Sequence, residues 1–312
     1  MKKRRLALLA APLLLMAQAG KAEAGADCDR ACLEGLGNAY LAALAAKDAA
    51  GLPLSAGARY TENGQTMALG DGMWASVTGV GPYRLHFSDV KTGETALFAE
   101  VEENGTRALL NLRLRVVDRK ISEMEAIVAR EDKRPLEASY DKPAFHAVVP
   151  PAKRSSRAEL IRIADSYFEG IVQATGKLTP FHPDCIRFEN GTQTTSSKAE
   201  RYVGTLHAVG CQAQFDSGFS KFVTDVRERR FPIVDEERGL VYSIMFWDHR
   251  GNIPQVTLAD GKVMKVPYPF TRPFTLMMGE LFKIEEGKIR QIEAAHLAVP
   301  YKMPSGWVEK RP

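Results

Sequence analysis

Two stretches of the chain carry apolar residues at every third or fourth position. Such spacing places the apolar side chains on one face of a helix, which can then pack against a core. Both stretches therefore predict an amphipathic helix, with Tyr40 and Tyr167 at the same place in each and 127 residues apart. The apolar positions are Leu33, Leu36, Tyr40 and Leu44 in the first stretch and Leu160, Ile163, Tyr167 and Ile171 in the second.

The repeat continues beyond these helices. ARYTENG at 58–64 parallels IRFENG at 186–191, which aligns Glu62 with Glu189 at the same offset. Nearer the ends of the two units, Glu125 aligns with Glu293, but there the offset is 168, so the second unit holds 41 additional residues. Runs of apolar and β-branched residues predict long strands in both units. These strands cover 108–117 and 120–128 in the first unit and 240–248 and 288–297 in the second.

The chain is therefore predicted to fold as two tandem α+β units. They cover residues 27–130 and 157–303, and the polar segment 131–156, with four prolines in and around it, is predicted to be a linker.

The first 24 residues resemble an export signal. Two lysines and two arginines precede an apolar run that is too short to span a bilayer, and small residues follow up to Ala24. Cleavage there would leave 37 basic and 37 acidic residues, so the mature chain is predicted to be neutral, without the basic surface of a nucleic-acid-binding protein and without a membrane anchor. We expect a periplasmic or secreted protein.

Four cysteines in an exported chain predict two disulfides. We favour Cys28 with Cys32 and Cys185 with Cys211, although the sequence also permits two other pairings or free buried thiols.

The residues quoted so far carry a resemblance. AYLAALAAKDAAGLPLSAGARYTENG (39–64) resembles the opening of the ketosteroid-isomerase-like or SnoaL-like superfamily, also named after nuclear transport factor, and GKIRQIE (287–293) resembles its final strand. CDRACLEG, VDEERGLV, FWDH and VPYKMPSGW further resemble exported bacterial members described only as hypothetical. The resemblance implies two cone-shaped domains, each a curved antiparallel sheet wrapped around helices, with an apolar pocket at the open end.

The same resemblance implies candidate catalytic residues. Tyr40 and Tyr167 fall where the isomerase keeps the tyrosine that stabilises an oxyanion, and Glu62 and Glu189 fall where it keeps a general base. A tyrosine in an apolar pocket can donate to an enolate, and a desolvated carboxylate gains basicity. A Glu-Asn-Gly sequence is also typical of a strand that enters a tight turn, and this structural interpretation stays open.

Differences between the units favour the second as the active one. His296 stands where the first unit has Val128, and alternation along the strand places it on the same face as Ile292. A histidine in a pocket would be a natural base near neutral pH, although many strand histidines are core residues. The remaining candidates, which we expect to bind substrate, are His182, Phe246, Trp247 and His249.

The additional residues are assigned mainly to 250–278, which follows the aromatic strand and is rich in proline and apolar residues. This insertion is expected to be either a lid or a dimer contact.

Together these features favour a cofactor-independent and metal-free lyase or isomerase that acts on a hydrophobic, aromatic small molecule, which could be lignin-derived. In this hypothesis Glu189 or His296 moves the proton, Tyr167 stabilises the oxyanion, and Trp247 encloses the ring. The alternative is a non-catalytic periplasmic binding or scaffold protein.

Overall fold

A computed structural model describes residues 28–130 and 142–307 of the 312-residue chain. The predicted signal peptide, most of the first half of the predicted linker and the last five residues lie outside the described residues. Within the described ranges, no helix is both long enough and apolar enough to cross a membrane.

The first unit consists of one long helix, one short helix and a six-stranded sheet. The elements are α1 (Arg30–Ala46), β1 (Leu54–Glu62), β2 (Gln65–Thr66), α2 (Met73–Ser76), β3 (Val77–Asp89), β4 (Glu94–Glu103), β5 (Thr106–Val117) and β6 (Lys120–Arg130). The strand order is β2-β1-β6-β5-β4-β3. Helix α1 begins where Asp29 accepts a hydrogen bond of 2.9 Å from the Cys32 amide, because a carboxylate satisfies one of the free N–H groups at a helix start.

The second unit repeats this arrangement with additional elements. It contains α4 (Arg157–Val172), β7 (Phe181–Glu189), β8 (Thr192–Gln193), α5 (Cys211–Asp216), β9 (Asp225–Asp235), β10 (Leu240–His249), β11 (Gln255–Thr257), β12 (Val263–Lys265), β13 (Phe274–Glu285) and β14 (Lys288–Val299). The short helix α3 (Pro143–His146) lies between the units. The main sheet has the order β8-β7-β14-β13-β10-β9, which matches the first sheet strand for strand, so the predicted α+β fold of two tandem curved-sheet units is confirmed.

The pairing of the strands differs from the expectation in one respect. Each sheet is antiparallel except at one place, since β1 runs parallel to β6 and β7 runs parallel to β14. The helix that precedes β1 or β7 places that strand beside the last strand of its unit, and this long-range pairing leaves no mark on either strand's sequence. Register shifts in β3 and β9, of the kind that bulges produce, increase the bend and twist of both sheets.

The additional residues of the second unit are split between two places, which corrects the assignment to 250–278. The offset between equivalent residues rises from 127 at the Glu-Asn-Gly turns to 146 at Asp89 and Asp235, and to 168 at Thr106 and Phe274. One addition therefore lies between β8 and β9 and contains α5. The other ends before Phe274, where β13 begins, so the last five residues of the predicted insertion belong to a strand.

The two sheets pack against each other through a shared apolar core. Side chains of β3, β4, β5 and β6 meet side chains of β9, β10, β13 and β14 there, together with Phe145 of α3. The Tyr242 hydroxyl donates to Asn111 Oδ1 across this interface at 2.8 Å. Gly279 faces both residues, and a Cβ at that position would lie 2.0 Å from Asn111 Nδ2, so the close approach requires glycine.

Both favoured disulfides are present. Cys28 is bonded to Cys32, and Cys185 is bonded to Cys211, which joins β7 to α5.

We therefore expect mass spectrometry of the protein to find no alkylation by iodoacetamide without a reductant and four alkylated cysteines after reduction in denaturant, because all four sulfurs are in the two bridges. Two reactive thiols in the unreduced protein would contradict one of the bridges.

Candidate functional site

The repeated Glu-Asn-Gly sequences form the tight turns β1-β2 and β7-β8. Asn63 and Asn190 have φ values of 50° and 47°, and a glycine in the left-handed region follows each, as a two-residue hairpin turn requires. The Asn63 side chain accepts from the Val128 amide at 2.8 Å, and the Asn190 side chain binds the His296 backbone at 2.8 and 2.9 Å. The repeated asparagine therefore ties each turn to the last strand of its unit.

Glu62 and Glu189 have different surroundings despite their equivalent positions. Glu62 is buried and accepts hydrogen bonds from the Tyr60 hydroxyl at 3.0 Å, the Met73 amide at 2.7 Å and Arg130 at 2.7 Å. These three hydrogen bonds fix the position of the Glu62 carboxylate and give it a structural role. Glu189 is about a quarter exposed and forms an ion pair of 3.1 Å with Arg187 on its own strand.

Arg187 organises a polar cluster inside the second unit, at the position that Tyr60 occupies in the first. Its guanidinium is buried and donates to the Tyr167 hydroxyl at 3.1 Å, to Thr194 Oγ1 at 2.9 Å and to Gln214 Oε1 at 2.6 Å. The Tyr167 oxygen accepts from Arg187, so its own proton remains available to an acceptor. Burial raises the pKa of Tyr167 well above its ordinary value, and the hydroxyl therefore stays protonated.

Glu280 lies in the same interior and has no hydrogen-bond partner. Its side chain is fully buried on β13 opposite Ser243, and both carboxyl oxygens are unpaired. Burial raises the pKa of Glu280 to about 8, although the positive charge of Arg187 acts in the opposite direction. The Tyr167 hydroxyl is near enough to favour the ionised form, yet the two groups do not meet the geometry of a hydrogen bond. Leu112 occupies the equivalent position in the first unit.

Two further side chains on the same face of this sheet have unpaired polar atoms. Trp247 Nε1 and both ring nitrogens of His249 are buried without a hydrogen-bond partner. Burial lowers the pKa of His249 to about 4 and keeps the ring neutral at physiological pH, although the Trp247 backbone and the charge of Asp248 act in the opposite direction.

His249 is the centre of a small aromatic group. Its ring stacks on Phe274 with centroids 4.6 Å apart, and the rings of Phe270 and Phe222 lie at 5.0 and 6.0 Å. Asp248 points to the other side of the strand, where it accepts from Thr275 at 2.6 Å and pairs with Arg227 at 3.0 Å. Asp248 therefore does not orient His249.

The structure brings some of the predicted site residues together and separates others. Tyr167 and Glu189 are in the polar cluster, and Trp247 approaches the Tyr167 ring with centroids 6.5 Å apart. His296 is half-buried on β14, with Ile292 and Ala294 of the same face in the core of the second unit. It is thus on the same side of the sheet as the cluster.

Phe246 and His182 lie elsewhere. Phe246 is on the opposite face of β10 from Trp247, in the core between the two sheets, so both cannot line one pocket. His182 is on the outside of the second unit and lines an open cleft of about 270 Å³ together with Val148, Pro150 and Glu286. Phe246 and His182 therefore lie away from the polar cluster, because strand alternation and the start of β7 direct them away from it.

The segment between β10 and β13 covers the inner face of the second sheet. Val256 and Val266 are buried in the core of this unit, and Ile253, Met264 and Phe270 pack against it. The Lys221 ammonium also donates to the Thr257 carbonyl at 2.9 Å. The insertion is thus a cover over its own unit.

Sequence reasoning missed Arg187, Gln214 and Glu280. A signal existed for two of them, since Arg187 and Glu280 are charged residues inside strand segments whose first-unit equivalents are Tyr60 and Leu112. Gln214 has no counterpart in the first unit, so the repeat could not identify it.

No curated protein matches the chain. A designed protein with a curved β-sheet is 18% identical over 32% of this chain and 87% of its own, with a TM-score of 0.25. AusH from Aspergillus nidulans is 15% identical over 46% of this chain and 86% of its own, with a TM-score of 0.28. IdmH from Streptomyces antibioticus, described as a candidate polyketide cyclase, is 16% identical over 44% of this chain and 91% of its own, with a TM-score of 0.28.

Likenesses this distant identify no function. The family comparison covers far more of the chain. A family described as a domain of unknown function, DUF8021, matches residues 26–128 and again residues 153–296, once for each sheet. The chain therefore belongs to the DUF8021 family and carries two copies of its domain.

Proposed function

We propose that the second unit is a cofactor-independent acid/base enzyme of the lyase or isomerase class that acts on a hydrophobic small molecule outside the cytoplasm. The observation that carries this proposal is Glu280, a fully buried carboxyl group with two unpaired oxygens and a pKa of about 8. Leaving such a group unpaired costs stability, and uncompensated polar groups of this kind concentrate at functional sites.

In the proposed mechanism Glu280 transfers the proton and Tyr167 stabilises the negative charge that develops on a substrate oxygen. A carboxyl group whose pKa lies near the working pH can both accept and return a proton. Arg187 positions the Tyr167 hydroxyl by donating to its oxygen, which directs the Tyr167 proton elsewhere. Proton transfer is therefore assigned to Glu280. It is preferred to Glu189, which is paired with Arg187, and to His296.

The surroundings support a hydrophobic and aromatic substrate. The Tyr167 ring has the rings of Phe168, Phe181, Phe215, Trp247 and Phe282 within 6.5 Å. Ring edges and faces of this kind favour another planar apolar group. The resemblance to the ketosteroid-isomerase-like superfamily and the two disulfides support the reaction class and an exported location. Because these side chains pack closely, the cover between β10 and β13 has to move when a substrate enters.

Proton transfer can be tested with 5-nitrobenzisoxazole, a planar probe. A base removes the proton from C3 while the ring N–O bond breaks, which gives a coloured cyanophenolate and requires no further reactant. We expect the mature protein to accelerate this reaction, with a rate that rises as the pH rises through about 8, since only the ionised Glu280 is a base. Glu280→Gln should reduce the rate about 100-fold or more.

Matched variants separate the candidate bases. Glu62→Gln changes the equivalent of Glu189 in the first unit and should leave the rate unchanged. Loss of the rate in Glu189→Gln or His296→Ala, with Glu280→Gln as active as the parent, would reassign the base. A protein that binds the probe but does not accelerate the reaction would support the alternative, a non-catalytic binding protein.

Glu280 should also be visible in the dependence of stability on pH. Its pKa is raised from about 4.5 in the unfolded chain to about 8 in the folded one. Between these values the folded state holds a proton that the unfolded state has lost, so the free energy of unfolding should fall as the pH rises across this window. Glu280→Gln should flatten that decrease in urea titrations at pH 5 to 9, and an unchanged slope would refute the raised pKa.

A further inference from the structure

One stretch of the inner face of β10 and β13 has polar side chains at its two ends and apolar ones between them. Glu280 lies opposite Ser243 at one end, and Trp247 and His249 lie four and six residues further along β10. Met245 pairs with Met278 in the middle of this stretch, and Leu276 lies opposite Trp247. We name this set of residues, from Glu280 to His249, the inner strip.

The unpaired polar atoms of the second unit are concentrated on the inner strip. Eight buried side-chain atoms in the described part of the chain have no hydrogen-bond partner, and five of them belong to Glu280, Trp247 and His249. Each such atom lacks the hydrogen bond that water would give it in the unfolded chain, so the arrangement costs stability. A ligand that supplies the missing partners would recover that cost.

The geometry points to a second anchoring position for the ligand at Trp247 and His249. We infer that the second unit binds an elongated, planar, apolar molecule with a polar group at each end. One polar group, which donates a hydrogen bond, lies at Glu280, and the other, a hydroxyl or carbonyl, lies at Trp247 Nε1 and the His249 ring. This inference rests on the proposed function for the Glu280 end only.

The distance along β10 between the two polar ends indicates how long the ligand has to be. At about 3.4 Å per residue, Trp247 lies about 14 Å along β10 from the position opposite Glu280, and His249 lies about 20 Å away. Side chains that lean towards each other shorten these spans. A single small ring cannot contact both ends, whereas two rings joined end to end can.

The middle of the inner strip suits such a ligand. Met245 and Met278 are unbranched and flexible, so they can change conformation and make room between the two polar ends. At the far end, Phe270 belongs to the cover and Phe222 to the 3-10 turn of residues 219–222, so an aromatic wall surrounds His249. The His249 ring lies nearly parallel to the Phe274 ring, with an interplanar angle of 6°.

The inference can be tested with three stilbenes as probes, namely 4,4′-dihydroxystilbene, 4-hydroxystilbene and stilbene. Their dissociation constants would be measured by fluorescence with the mature, disulfide-bonded protein. We expect the dihydroxy compound to bind about tenfold more tightly than the monohydroxy compound, which corresponds to one additional hydrogen bond. A monohydroxy compound can use Glu280, so the second hydroxyl reports on the far end.

His249→Phe keeps the ring and removes both nitrogens. It should abolish most of the difference between the dihydroxy and monohydroxy compounds, leave the affinity for stilbene unchanged, and raise the melting temperature, because unpaired buried atoms are lost. Trp247→Phe is the second variant and should reduce the same difference. His86→Phe, in the first unit, is the matched control and should change none of the affinities.

The outcomes distinguish this inference from the proposed function. Equal affinities of the parent for the dihydroxy and monohydroxy compounds, or a difference that survives in both His249→Phe and Trp247→Phe, would overturn the second anchoring position. In that case a loss of proton transfer in Glu280→Gln would still support the proposed function. Glu280→Leu, which copies Leu112 of the first unit, should make the dihydroxy and monohydroxy compounds bind equally, because each then keeps only the hydrogen bond at the far end, and a difference as large as in the parent would overturn the anchor at Glu280.

Discussion

Replacement of Arg187 by methionine is expected to lower the free energy of unfolding by about 3–5 kcal/mol, because three hydrogen bonds from a buried charged group are lost and each contributes roughly 1.5–3 kcal/mol. Arg187 is 3% exposed and binds Tyr167, Thr194, Gln214 and Glu189. Methionine fills a similar volume but donates no hydrogen bond, so the buried Gln214 oxygen loses its donor and Glu189 loses its counter-charge. Urea denaturation monitored by tryptophan fluorescence measures the change.

Two further variants determine whether the loss of the charge is the cause. Arg187→Met combined with Glu189→Gln should recover part of the stability, since the double variant leaves no unpaired carboxylate at Glu189. Arg162→Met removes an exposed arginine that pairs with Glu159 on α4 and should leave the denaturation midpoint unchanged. A parental midpoint in Arg187→Met would show that the cluster contributes nothing to folding.

Replacement of Lys142 by methionine is the second change with a large expected effect, again about 3–5 kcal/mol. Lys142 is 5% exposed, and its ammonium contacts the buried Glu293 carboxylate and the Tyr83 hydroxyl at 3.1 Å. It also lies over the rings of Tyr83 and Phe188, at 4.8 and 4.7 Å. One side chain thus joins the segment between the units to both sheets, and its loss leaves Glu293 buried without a counter-charge.

The matched control is Lys153→Met, because Lys153 follows in the same segment but forms an exposed pair with Glu286. It should not change the urea midpoint. The double variant Lys142→Met with Glu293→Met should be more stable than Lys142→Met alone, since a buried pair replaced by apolar groups costs far less than a broken one. If the single and double variants are equally stable, the ion pair of Lys142 and Glu293 does not stabilise the contact between the units.

Much of the fold follows from local features of the chain. The apolar stripes at 33–44 and 160–171 correspond to α1 and α4, and they bury Tyr40 and Tyr167 completely. The Glu-Asn-Gly sequences form the hairpin turns that Asn-Gly favours, and both disulfides join the favoured cysteines. Helix period and turn conformation are properties of a few neighbouring residues, so the sequence is enough to identify them, whereas it only favoured the disulfide pairing.

The candidate site depends on contacts between distant residues. Arg187, Gln214 and Glu280 come from three elements, β7, α5 and β13, and meet only after the sheet has formed. Phe246 and Trp247 are adjacent in sequence, yet the alternation of a strand sends the first to the core between the sheets and the second to the inner strip. Which of the two faces a pocket depends on what packs against each face.

The sequence by itself determined the two long helices, four of the long strands and the repeat, because those depend on local backbone preference and on the period of apolar residues. Only the tertiary structure decided that Glu62 is held by three donors while Glu280 has none, and that the inner strip has unpaired polar atoms at both ends. The physical reason is that burial and hydrogen bonding, which set the pKa of a carboxyl group, are properties of the neighbours in space and not of the neighbours in the chain.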